Sequence, residues 1–253
     1  MVQAPSRRDR VRAATTQEII QTARKLLVQD GPEAVSLRAI AREMGMTAPA
    51  LYRYFGSHEE LLRHVVADIF TELASYVRSA VHAAADESTA DLTQAEVMAV
   101  KLIAGCRGFR AWALAHVPEF SMIFGSPLPG LDYLHEMTRD PTVDCGYQFG
   151  QVFLDLFGDL YRRRPFSIPA DDEMDPGLRA ELARYRELAR TDLPLGALQT
   201  FLRCWVLLYG TVSLEAFGHI KFALDDASPM FELMLSDLAP MVGLEYPLLA
   251  RGA

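Results

Sequence analysis

Apolar residues recur along most of the chain at steps of three and four, and strict alternation of apolar and polar positions is scarce. That spacing predicts an all-α chain. Thr15-Thr16-Gln17-Glu18 reads as a capping box, with Thr15 at the N-cap and Glu18 reaching back to it. The helix that follows lines up Ile19, Ala23, Leu26 and Leu27 on one stripe and is closed by Gly31. Ser36 caps a second helix with Leu37, Ile40, Ala41 and Met44 inside, and Gly45 ends it. Thr47 caps a short third helix. Pro49 falls in its first turn, where a missing N–H costs little, and the helix buries Leu51 and Phe55 before stopping at Gly56. Ser57-His58-Glu59-Glu60 is a second capping box. It opens a long helix, to about residue 82, with Leu61, Leu62, Val65, Val66, Ile69, Phe70, Leu73 and Val77 inward.

Beyond it, Ala84–Asp91 is small and acidic and reads as a loop, and a Pro/Gly connection runs from Ser126 to Gly130. Further helices are expected near 93–117, 145–164, 177–190, 195–220 and 229–242. The expected organisation is a basic flexible arm (1–14), a helix-turn-helix domain (15–63) and a larger helical domain (64–253).

Composition adjusts this picture. Of 253 residues, 50% are apolar and 23% charged, enough for a buried core. The net charge of -8 argues against nucleic acid, but its distribution does not. Residues 1–55 hold nine Lys/Arg against five Asp/Glu, a charge of +4, which leaves sixteen against twenty-eight, -12, on the rest. A basic module on an acidic body points to a contact face for an anion. The longest charge-free run, Phe120–Leu131, has 12 residues, short of the roughly 18 apolar residues of a membrane span. The Arg-rich start has no apolar stretch after it and does not read as a secretory signal. Three scattered cysteines, Cys106, Cys145 and Cys204, fit a reducing cytoplasm. The six histidines lack metal-ligand spacing and no cofactor motif occurs, so neither metal nor cofactor is expected. An enzyme built on His116 or His219 and a carboxylate is a remote alternative, with no nucleophile elbow or phosphate loop to support it.

The informative stretch is Ser36–Phe55: helix, turn at Gly45-Met46, short capped helix. Once Leu37, Ile40, Ala41, Leu51 and Phe55 lock inward, Ala48, Pro49, Ala50, Tyr52 and Arg53 face outward. Small residues allow close approach to DNA, Thr47 and the helix start offer donors to a phosphate, and Tyr52 and Arg53 reach phosphates or base edges. The bland readings are aromatic core for Tyr52 and Tyr54, and solvated charge for Arg38 and Arg53. The amino-terminal arginines read as a solvated tail or as a minor-groove arm.

Residues 16–63, above all Leu51-Tyr52-Arg53-Tyr54-Phe55 followed by Ser57…Glu60-Leu61-Leu62, closely resemble the TetR/AcrR regulators. The resemblance implies phosphate contacts from Thr47, Tyr52, Tyr54, Ser57 and His58, and base contacts from Arg38, Ala48, Pro49, Ala50 and Arg53. Here His58 stands where a lysine is usual, and Ala48 and Ala50 can read bases only through apolar contact. The segments Arg110–His116 and Trp205…His219 resemble, more loosely, the Trp/His/Gly-type subgroup. The resemblance implies a homodimer through the last two helices, a palindromic operator in double-stranded DNA, and a repressor released by a small, mainly apolar effector. The alternative is control by a protein partner or by no effector. Pocket candidates are Trp112, His116, Phe120, Phe124, Phe149, Phe153, Phe157, Trp205 and Tyr209, for each of which ordinary core packing is the competing reading.

Overall fold

A computed structural model of the protein describes residues 6–86, 92–125 and 141–244. Among them the helices run α1 (Arg7–Asp30), α2 (Leu37–Glu43), α3 (Ala48–Leu51), α4 (His58–Asp86), α5 (Gln94–Ala115), α6 (Val117–Phe124), α7 (Pro141–Arg163), α8 (Pro176–Leu188), α9 (Leu195–Ala216) and α10 (Ser228–Leu238). Short 3₁₀ turns stand at Pro32–Ala34 and Ala239–Val242, and no strand occurs among the described residues. The fold is all-α, as the three-and-four spacing requires.

Side-chain caps set the starts of α1, α2, α4, α5 and α8. Ser36 Oγ accepts the Ala39 N–H at 3.2 Å, and Ser57 Oγ accepts the Glu60 N–H at 3.1 Å. The Glu60 carboxylate takes the Gly56 N–H at 2.7 Å, so the reciprocal half of that box sits one residue earlier than expected. Thr93 and Glu96 form a box for α5 that the sequence pattern did not single out. Gly45 closes the turn before α3 at φ +64°, where a side chain would be strained.

The first helix corrects two expectations. It begins at Arg7, not after Thr15, so residues 7–14 are helical turns and not a flexible arm. Ser6 and Asp9 supply a complete capping box upstream: Ser6 Oγ accepts the Asp9 N–H at 3.2 Å and the Asp9 carboxylate accepts the Ser6 N–H at 3.1 Å. Thr16 is then absorbed into the helix, its hydroxyl donating to the Arg12 carbonyl at 3.0 Å. Likewise α4 continues past residue 82 to Asp86. The rest of the expected loop, 87–91, and the Ser126–Gly130 connection lie outside the described residues.

The chain divides into two compact units, Met1–Glu72 with His116–Tyr147 and Leu73–Ala115 with Gln148–Ala253. In the first, Ile19, Ala23, Leu27, Ile40, Leu51, Phe55, Leu61 and Val65 make the core. Arg24 crosses it as a polar bolt. Its guanidinium meets Asp68 at 3.0 Å and Glu72 at 2.6 Å on α4, and Glu119 at 3.6 Å on α6. Burial works against the Arg24 charge, but the hydrogen bonds to Glu72 and Asp68 outweigh it and raise its pKa. Gln17 and Gln21 donate to Asp68 from the same face of α1.

In the second unit Phe109, Phe149, Phe153 and Trp205 interlock with ring centroids 5.5–6.3 Å apart. Arg110 grips Glu215 through two hydrogen bonds of 2.7 and 2.5 Å and donates to Ser228 Oγ at 2.8 Å, joining α5, α9 and α10. Helix α9 is long and apolar enough, by length and composition, to cross a membrane. Arg203 interrupts its run of uncharged residues. Of its most apolar window 44% is buried within the described residues.

Glu119 is only 5% exposed, so Arg24 is its counter-charge. Arg24→Met is expected to cost about 3–5 kcal/mol in urea unfolding, because it strands a buried carboxylate. Adding Glu119→Gln should recover part of the loss; no recovery would show that the pairing with Glu119 contributes little.

Candidate nucleic-acid interface

The candidate face is built on a helix too short to stand alone. Residue Leu51, on α3, and Phe55, just beyond it, are 0% and 1% exposed, and they pull the single turn Ala48–Leu51 against the core of the first unit. The outward positions follow from that inward pair. Thr47, Pro49, Tyr52 and Arg53 are exposed, and Ala48, Ala50 and Tyr54 are half-buried. Tyr52 is the clearest of them: an aromatic ring that remains 51% exposed beside a fully buried leucine. That placement rules out the core reading for Tyr52 and leaves its ring and hydroxyl on the surface. Arg38 projects from α2 and is exposed, capped at its helix start by Ser36.

Three residues depart from expectation. Thr47 precedes α3 without a side-chain capping bond; its carbonyl, not its hydroxyl, starts the helix by accepting the Ala50 N–H at 2.9 Å. His58 is engaged by the protein itself. Its Nε2 lies 2.6 Å from the carbonyl of buried Val35, so that nitrogen carries the proton and donates. Its Nδ1 has a proton to donate to a phosphate only in the doubly protonated ring, whereas the lysine of the family pattern would always offer donors. Tyr54 lies under Arg12, whose guanidinium sits 5.2 Å from the ring centroid while its Nη2 donates to the Arg53 carbonyl at 2.9 Å. Arg12 therefore belongs with this face. Sequence reasoning placed it in a loose arm because the Ser6–Asp9 box went unrecognised. Ser57 is half-buried, with its hydroxyl already accepting at the start of α4.

The pocket candidates separate. His116, Phe120 and Phe124 belong to the first unit, where Phe120 and Phe124 pack 5.0 Å apart and Phe124 meets Phe70 at 5.6 Å. The others lie in the second unit. Trp112 and Phe149 are core residues, 0% and 2% exposed. Phe153, Phe157 and Trp205 line a cavity of about 60 Å³, with Tyr209 stacked on Trp205 at 6.0 Å. Its remaining walls, which the aromatic pattern missed, are Leu102, Ile103, Cys106 and Phe201 together with Cys204, Leu208 and the apolar face of α10 and the residues that follow it. Burial pushes the Cys106 thiol up to about 12 and the Cys204 thiol to about 11, so both are neutral near pH 7 and poor nucleophiles. The cavity suits an uncharged apolar group and offers no acid–base pair.

An exposed recognition face behind a buried hydrophobic lock, on a helix-turn-helix, defines a DNA-binding transcriptional regulator. Comparison with known proteins names the group. Residues 19–65 match the family of bacterial regulatory proteins, tetR family, and residues 102–238 match the tetracyclin repressor-like C-terminal domain. The chain belongs to the TetR family. It is 28% identical over 204 residues to the HTH-type transcriptional regulators Rv1816 of Mycobacterium tuberculosis and Mb1846 of Mycobacterium bovis, covering 79% of this chain and 80% of theirs. The crystal structure of the regulatory protein SCO4313 superposes with a TM-score of 0.68 at 29% identity, over 93% of this chain and 100% of that one. A protein from Rhodococcus sp. RHA1, with a TM-score of 0.57 at 19% identity over 90% of this chain and 93% of its own, shares the fold.

The two sides of α3 should respond differently. Leu51→Ala is expected to destabilise the protein by about 2–5 kcal/mol in denaturant unfolding. Tyr52→Ala should change it by less than about 0.5 kcal/mol. Equal losses would show that Tyr52 is a packing residue.

Proposed function

We propose that the chain is a homodimeric repressor that binds a palindromic operator and is released by a small, mainly apolar effector. The observation that carries the DNA half is the outward cluster Arg38, Tyr52 and Arg53 around α3, each exposed while its helix is locked from behind. In this reading residues 15–63 are the DNA-binding domain and residues 64–253 the effector and dimerisation domain. Thr47, Tyr52, Tyr54, Ser57 and the protonated ring of His58 take phosphates, and Arg38, Ala48, Pro49, Ala50 and Arg53 face the bases. A two-fold dimer would set the two recognition helices about 34–36 Å apart, one turn of DNA. A regulator of this kind works in the cytoplasm.

Dimerisation is supported by an apolar stripe. Val206, Leu207 and Leu214 on α9 and Met230 and Leu233 on α10 are 41–65% exposed, an unusual density of large apolar side chains on two neighbouring helices. Gly210 lies within the same stretch of α9, and a Cβ there would meet nothing within 4 Å, so a partner helix could approach closely.

The effector half is supported by the cavity of the second unit and its apolar walls. Phe153 and Phe157 of α7 line it, so a ligand there would press on α7 directly. To turn occupancy from about 1:99 to 99:1, it must prefer the non-binding state by roughly 10⁴-fold.

Selection of bound duplexes from a random pool, repeated with apolar candidate effectors, tests the whole reading. A palindrome with half-sites one turn apart is expected, and asymmetric or non-specific recovery would overturn it. On the selected site Tyr52→Ala and Arg38→Ala should each weaken binding at least about tenfold. Val206→Glu combined with Leu233→Glu should convert the dimer to monomer in sedimentation velocity while the helical spectrum persists.

A further inference from the structure

We propose that operator binding is coupled to proton uptake at His58, so that the protein holds DNA more tightly as the pH falls through neutrality. The inference rests on the start of α4 lying against a phosphate, as set out above, and adds what decides whether that contact forms.

The first observation is a fixed tautomer. His58 Nε2 stands 2.6 Å from the Val35 carbonyl. A carbonyl only accepts, so Nε2 holds a proton in either charge state of the ring, and Nδ1 of the neutral ring presents a bare lone pair. Val35 is 1% exposed and Leu37, two residues on, is 4% exposed, so the acceptor belongs to the core and stays in place. His58 itself is exposed at the first position of α4. A phosphate oxygen is an acceptor too. Against the neutral ring it would set one lone pair on another; a proton on Nδ1 turns the same approach into a charge-assisted hydrogen bond.

Second, the charges already near His58 are of both signs, and the acids among them are engaged. On α4, the Glu59 carboxylate is turned back onto its own N–H and the Ser57 side chain. Those bonds hold its pKa below the ordinary glutamate value, with smaller contributions from His58 and Arg63. The Glu60 carboxylate takes the Gly56 N–H at 2.7 Å. Toward α3 stands exposed Arg53, and along the Val35 strand of chain the charged neighbours are Glu33 and Arg38. The start of α4 also presents the positive end of its helix dipole, which opposes a cation. A DNA phosphate brings a full negative charge that the free protein lacks here. His64, one and a half turns further on, is held differently: its Nδ1 lies 2.9 Å from the Glu60 carbonyl and its ring packs edge-on against buried Phe55.

Third, the sign of the coupling follows. A phosphodiester keeps its charge throughout the neutral range, so the titrating group is on the protein. A phosphate at Nδ1 favours the charged ring, so the histidine pKa is higher in the complex than in the free protein. The added affinity is complete below the free value and is lost as the pH rises through the value in the complex. The ordinary histidine value of about 6.5 puts that window between about pH 6 and 8. A lysine at this position would stay charged across all of it.

The test measures the affinity of the full chain for a selected operator from about pH 6 to 8 at one salt concentration. A pKa raised by one unit on DNA corresponds to a tenfold change in affinity, so wild type should bind at least about tenfold more tightly at the acid end. His58→Lys should bind tightly throughout and His58→Gln weakly throughout, both with flat profiles. Calorimetry in buffers of different ionisation enthalpy should show proton uptake when wild type binds, and none with His58→Gln. A flat wild-type profile overturns the proposal, and so does a His58→Lys profile as steep as wild type, which would place the titration on another group such as His64. If wild type binds no selected duplex at any pH, the reading of α3 fails first and the proposal falls with it; that result is visible on wild-type protein alone.

Discussion

A helix of four residues makes a single turn and has no stability of its own, so the exposed face around α3 exists only because something else holds it. That support is the burial of Leu51 and Phe55 in the core that also holds Ile19, Ile40 and Leu61 of other helices. The left-handed Gly45 turn brings α2 and α3 together, and the Ser57 cap launches α4 immediately afterwards. The exposed positions are a geometric consequence. With Leu51 inward, Tyr52 and Pro49 cannot also be inward, and with Phe55 inward, Arg53 stays in water. A change in the buried pair would therefore disorder the surface without touching any residue on it.

Electrostatics shows the same coupling between inside and outside. The +4 of the first 55 residues overstates and misplaces the charge offered to a ligand. Arg24 is used internally by Asp68, Glu72 and Glu119, Lys25 meets Glu43 at 2.6 Å, and Arg12 caps the exit of α3. What remains outward is Arg38, Arg42 and Arg53 near the helix-turn-helix and Arg7, Arg8 and Arg10 on the first turns of α1. The folded chain thus sorts one run of basic residues into structural and surface cations.

Much of the fold was legible because helix signals are local. The stripes of α1, α2 and α4 were readable from spacing, and nearly all their members are buried; Met44, at the end of α2, is only half-buried. The start of α1 was misread because two capping boxes competed, and a threonine inside a helix looks the same in sequence as one at its start. The pocket candidates between Trp112 and Tyr209 belong to two units. Aromatic character marks burial in general, and which rings border a void depends on how helices far apart in sequence pack.

By itself the sequence determined the helix class, the position of the helix-turn-helix and the family, because each is encoded within a few turns of chain. Tertiary structure alone decided what distant residues do to one another. It set Arg110 against Glu215, gave His58 to the Val35 carbonyl, seated Arg12 on Tyr54 and left a void beside Trp205. Those outcomes depend on distances between helices, and no local periodicity carries that information.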